Sequence, residues 1–335
     1  VNIQASAPLV NATRFRMAHQ ADWERLEDLV GRLEKKSIKS LDDDDLLALP
    51  ALYRTSLSSL SIARDTSLDR ALVTYLEQLC TRAYFQIYGV QTPAGRQVAD
   101  FFRSGWPNAA RDLLKETLVC SALMALAAVL GYLLVSHDPS WFYSIIPAEL
   151  AAGRDPTASA ETLRSTLYDS QDSLLTTFAT YLFTHNSQVA ILSFALGFAF
   201  AVPTVLLMLY NGLMLGAIYA VFAAKGLGPN LAGWLMIHGT TELLAIAMAG
   251  GAGLRIGTAV AFPGRLTRTA SLVKAGRSAA TAMIGVVVML AAAGLLEGVG
   301  RQTITDDMIR FLIGWSMLTF WVLYLYVLGG RKRSA

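Results

Sequence analysis

Residues Leu231 to Gly253, LAGWLMIHGTTELLAIAMAGGAG, decide the fold class. As a helix rising about 1.5 Å per residue, these 23 residues cross a hydrocarbon core of about 30 Å. Yet the run holds His238 and Glu242, four residues apart and therefore on one helix face. Glu242 is twelfth of the 23, close to mid-bilayer, where an ionisable group is costly unless partners share its charge or proton. His238, Thr241, Asn211 and Arg255 are the candidate partners, and a second acid, Glu297, ends a later apolar run.

Glycines flank this polar set. Gly212 with Gly216, and Gly253 with Gly257, have the GxxxG spacing that lets helix backbones approach closely, and Gly239, Gly250 and Gly251 extend the smooth surface. Helix-packing glycines beside a polar intramembrane cluster describe a tightly packed membrane core.

The whole chain agrees with a membrane protein: of 335 residues, 54% are hydrophobic and 16% charged, with a mean hydropathy of +0.43. The charge is unevenly placed, because residues 1–110 hold 13 Lys or Arg and 13 Asp or Glu. A polar helical domain over 1–110 is therefore expected to precede a transmembrane domain over 111–330 and a basic tail at 331–335. Within the first part, Phe15 to Leu33 is amphipathic, Leu41 to Arg64 opens on the acidic run Asp42 to Asp45 and is bent or divided by Pro50, and Ser67 to Tyr88 supplies a third helix. Three such helices can bury one another's apolar faces.

About six spans are expected: Leu118 to Val135, Val189 to Tyr210, the short run Leu213 to Ala224, Leu231 to Gly253, Ala279 to Leu296 and Phe311 to Leu328. The short run is either a helix sheltered by neighbours or a re-entrant hairpin, since Asn211 and Gly212 precede it and Gly226 to Pro229 follow. With six spans the basic clusters fall on one side: Arg103, Arg111 and Lys115; then Arg255, Arg265, Arg268, Lys274 and Arg277; then Arg331 to Arg333. That side is expected to be the cytoplasm, with both termini on it and residues 136–188 opposite. Trp141, Phe142 and Tyr143 suit an interfacial belt there, and Glu161 to Phe183 an amphipathic surface helix. Val1 to Thr13 lack a basic start followed by an apolar core, so the first span is expected to direct insertion.

Other classes fit less well. The charge of +3 carries no basic stripe with interleaved aromatics, which argues against nucleic acid as a partner. Cys80 and Cys120 lie in different parts of the chain, so no disulfide is expected. HGTTE has one His where a zincin helix has two, so no metal and no cofactor are expected. Ser193 and Ser316 lie in spans with nothing to activate them, so no catalytic residue is assigned. Intramembrane hydrolysis, and transport or conduction through the His238/Glu242 pair, stand as alternatives to a packing role for the polar cluster.

The ordered pattern of Asn211-Gly212 with Gly216, His238-Gly239-x-x-Glu242 followed by Ala245, the exit glycines Gly250, Gly251, Gly253 and Gly257, and a late Glu297 resembles the stage II sporulation protein M family. Trp23 to Glu27 and LPALYRTSLSSLSIARD, Leu49 to Asp65, look like the cytoplasmic extension of its longer, non-sporulating members. The resemblance implies an all-α, polytopic, non-enzymatic protein of the bacterial inner membrane. It further implies a scaffold in contact with membrane lipids and with envelope or peptidoglycan-remodelling proteins, and the longer members point to a MoxR-type ATPase and an RDD-type membrane protein. A homo-oligomer is expected.

Overall fold

The computed structural model describes residues 12–35, 41–66, 69–89, 94–151, 153–168, 173–300 and 303–329. Among them there is helix and no strand. The chain forms two compact units that divide at Gln97/Val98.

In the first unit, α1 (Ala12–Lys35), α2 (Asp43–Asp65) and α3 (Arg70–Tyr88) surround one apolar core. Trp23, Leu26, Val30, Leu60, Leu76 and Ala83 are buried in it, each recurring at helical spacing on its own strip. Asp42 caps α2 by accepting from the Asp45 amide, and Asp43 to Asp45 fill the first turn, where the helix dipole favours acids. Pro50 lies inside α2 without dividing it. Arg82 of α3 grips Glu34 of α1 through two hydrogen bonds of 2.9 and 2.8 Å, and Tyr75 donates to Glu27 at 3.0 Å. Burial and that carboxylate push the Tyr75 phenol up to about 12.

The second unit begins at Val98, inside α4 (Ala94–Asp100), and continues with a π turn over 101–105 and α5 (Trp106–Asp112). Residues 98–110 thus belong with the membrane unit, not with the polar domain as the charge distribution implied. The cause is Trp106, which is 1% exposed and packs against Trp321 and Tyr324 at ring separations of 5.6 and 5.5 Å.

Five helices among the described residues are long and apolar enough to span: α6 (Leu114–His137), then, after three short surface helices α7 (Trp141–Ile145), α8 (Ala148–Ala151) and α9 (Ala160–Tyr168) and the helix α10 (Ser173–Ala195), α11 (Val202–Ala224), α12 (Gly228–Ala261), α13 (Arg268–Leu295, continued by a π turn over 296–300) and α14 (Asp307–Val322, continued by a π turn over 323–328). The chain is a helical, polytopic membrane protein. α10 is 23 residues long without an Asp, Glu, Lys or Arg.

Four expectations change here. Val189 to Tyr210 is not one span: α10 ends at Ala195, and Phe200 and Ala201 turn the chain at φ of 57° and 63°. The short run after Asn211 is then no hairpin but the second half of α11, which Pro203 opens. The surface helix ends at Tyr168, residues 169–172 lie outside the described part, and residues from Ser173 onward are α10. Of the aromatic trio, Trp141 and Tyr143 are exposed but Phe142 is buried in a core with Leu150, Leu163 and Phe222.

Candidate functional site

α12 is the axis of the bundle, in contact with α6, α10, α11, α13 and α14. Its two halves differ, and the difference comes from sequence. Towards the end that carries Trp106, here the proximal end, α12 presents glycines. A Cβ on Gly251 would stand 2.9 Å from the Thr117 amide of α6, and one on Gly253 or Gly257 would overlap the Ser193 carbonyl of α10 or the Ala201 backbone. Gly212 and Gly216 of α11 press on α6 at the Met124 and Ala128 carbonyls, and Gly131 of α6 returns the contact at Leu213. Gly250 leaves room for Met208 and Cys120. Without a water-driven hydrophobic effect between helices in lipid, such backbone approach is what dispersion has to work with. Gly239 is different: the nearest atom to its Cβ position is Leu235 Cβ at 3.8 Å, so close approach does not require it.

Towards the opposite, distal end the helices part around a cavity of about 200 Å³. α11, α12, α10 and the surface helices α8 and α9 line it, mostly with apolar side chains, and Asn211, His238 and Glu242 open onto it together with His185, Asn186 and Arg154. Asn211 and Glu242 are 8% and 3% exposed, and His238 1%, with its ring edge-on to Trp234 at 5.4 Å. The Asn186 side chain hydrogen-bonds the Glu242 carboxyl, and the Glu297 carboxyl, in the π turn after α13, acts on it electrostatically. The Oε1 of Glu242 has no hydrogen-bond partner among the described residues.

The structure thus gathers Asn211, His238 and Glu242 at one cavity, with Glu297 beside it, and sets the other candidates elsewhere. Thr241, fully buried, accepts a 3.0 Å bond from the Trp321 indole. Arg255 does not turn inward to Glu242. It holds Glu116 of α6 through bonds of 2.6 and 3.0 Å and the Asp112 carbonyl as well, at the proximal end. Ser193 donates to the Val189 carbonyl at 2.6 Å and packs under Gly253. Asn186, His185 and Arg154 were missed by sequence reading because they lie in a stretch assigned to the surface.

The distal end is held by a second polar set. Arg310 of α14, fully buried, reaches Asp307 at 3.1 Å and the carbonyls of Leu167 and Ile304 at 3.0 and 2.9 Å, and lies 4.9 Å over the Tyr168 ring. Tyr168 and Asn230 both bond Asp307 Oδ2, at 2.6 and 2.9 Å. Burial and that carboxylate raise the Tyr168 phenol above its ordinary range. The set fastens α9 to the ends of α12 and α14, so the cavity has a tethered cover.

The model of the family described as stage II sporulation protein M matches residues 120–300, from α6 to the π turn that carries Glu297, and that of a domain of unknown function (DUF8413) matches residues 13–89, the three helices of the first unit. No curated protein and no solved structure matches the chain. Because the first match spans more than half of the chain and takes in the glycine contacts, His238, Glu242 and Glu297 alike, the chain belongs to the stage II sporulation protein M family.

Proposed function

We propose that the protein is a non-enzymatic scaffold of the bacterial cell envelope, a homo-oligomer in the cytoplasmic membrane that assembles partner proteins. The observation that carries the reading is the glycine seam, where glycines on α11 and α12 bring four helices together at backbone distance. Such contacts suit a fixed platform better than helices that must slide during alternating access. The amphipathic helices of the first unit, with exposed Tyr84, Phe85 and Tyr88, add a surface on which partners can dock. A MoxR-type ATPase and an RDD-type membrane protein are the partners we propose.

Counting α10 as a span gives six, and on that count Arg111 and the turn with Arg265 and Arg268 fall on one side. We assign that side to the cytoplasm.

The test is extraction from native membranes in mild detergent, followed by sizing and identification of what travels with the chain. A complex larger than one chain, containing envelope proteins of the proposed kinds, is expected. A lone monomer overturns the scaffold. So does cleavage of peptidoglycan or lipid by the purified protein, if it is lost on Glu242→Gln with folding intact.

A further inference from the structure

We propose that the distal cavity is a binding site for a small organic cation, an ammonium group on a compact aliphatic body, with Glu242 as its counter-ion. Four observations meet there. The cavity of about 200 Å³ is large enough for a molecule of several heavy atoms, and its walls are predominantly Leu, Met, Ile and aromatic side chains, which favour an aliphatic body. Glu242 lines that cavity, is 3% exposed, and its Oε1 has no hydrogen-bond partner among the described residues. A buried acceptor left in that state is stabilised by a donor that arrives with a ligand. Glu297, itself 4% exposed, adds a second carboxyl acting on the first, so the local field favours a positive charge over a negative one. Trp234 and Phe222 are among the wall residues, and aromatic faces attract a desolvated ammonium.

Of the other charged and titratable groups on the cavity wall, the Arg154 guanidinium works against a second cation, so the ammonium sits at the Glu242 carboxyl. Arg154 comes from the loop between α8 and α9, and His185 and His238 from α10 and α12; each is engaged in interactions within the chain. Asn186 bonds Glu242 and orients the carboxyl without neutralising it. The proposal does not depend on the scaffold reading, since a platform and a transporter can each hold such a ligand.

The experiment uses the full chain in nanodiscs and three probes of equal length: n-butylammonium, n-butanol and n-butyrate. Thermal unfolding and tryptophan emission are followed against probe concentration. Saturable stabilisation by n-butylammonium alone is expected, weakened about thirtyfold or more in Glu242→Gln, because removing one partner of a desolvated charge pair costs at least about one and a half times the free energy worth a factor of ten. Leu215→Trp, which adds bulk to the cavity wall and leaves Glu242 itself unchanged, is expected to abolish binding as well; it keeps the test decisive should Glu242→Gln fail to fold. Equal responses to all three probes, a preference for n-butyrate, no saturation with any probe, or unchanged n-butylammonium binding in Leu215→Trp overturns the proposal.

Discussion

At the scale of single residues, glycine has two opposite meanings in this chain, and the surroundings of each Cβ position separate them. Gly216 faces the Ala128 carbonyl so closely that any side chain must push α6 and α11 apart. Gly216→Leu should therefore destabilise the bundle by about 3 kcal/mol, the upper range for overpacking a well-filled site. Unfolding of the detergent-solubilised variant measures this, and a midpoint equal to that of the parent would remove the close-packing argument. Gly276 sits inside α13 with no atom within 4 Å of its Cβ position. Gly276→Ala should raise stability by about 0.5–1 kcal/mol, because it removes backbone freedom from the unfolded chain at no steric cost. Sequence singles out Gly216 by its GxxxG spacing with Gly212 and leaves Gly276 outside the expected span Ala279 to Leu296; that Gly276 is a helix residue with open space beside it is seen only once the neighbouring helices are in place.

At the scale of elements, polar pairs decide which helices stay together. Arg310 is completely buried and joins α14 to the Leu167 carbonyl of α9 and to Asp307. Arg310→Met should cost about 2–3 kcal/mol, since it leaves the Leu167 and Ile304 carbonyls without their buried donor and takes the cation from Asp307, which keeps Tyr168 and Asn230. The loss should concentrate in α9, seen as faster amide exchange across Ala160–Tyr168; uniform exchange throughout the unit would contradict a local latch. In the first unit, the Arg82 guanidinium holds the Glu34 carboxyl below its ordinary value. A lowered carboxylate pKa stabilises the fold above its unfolded value of about 4.3 and loses that contribution as pH falls through the folded value. Because the pair is partly exposed, the effect is below about 1 kcal/mol. Amide protection of α1 should thus decline below pH of about 4, and Glu34→Gln should flatten that decline. Neither these pairs nor the helix boundaries were legible in the sequence. Asn211-Gly212 reads as a boundary because both residues favour turns, yet α11 runs through it, since Gly212 is needed for contact with Met124. The true break uses Phe200 and Ala201 at positive φ, residues that carry no turn signal.

At the scale of the molecule, the sequence foretold a helical membrane bundle with a polar centre but not that its two halves differ in packing. Along α12 the contact glycines Gly250 to Gly257 lie towards the proximal end and the cavity-lining stretch Leu231 to Leu243 towards the distal end, whereas on α11 Gly212 and Gly216, pressed on α6, alternate with the cavity-lining Asn211, Met214, Leu215 and Ile218. That arrangement predicts that the cavity wall and the glycine seam differ in access. Cys80 and Cys120 are 5% and 1% exposed, the latter held in the seam beside Gly250. The folded parent protein should therefore react slowly with a small charged thiosulfonate reagent. Ile218→Cys places a thiol on the cavity wall and should add one fast-reacting site, while Cys120 stays protected until the bundle unfolds. If Cys120 reacts as fast as the new thiol in folded protein, the seam opens on the timescale of the reagent. Alternating access would then have to replace the fixed platform, because only a bundle that separates at its glycines exposes that sulfur.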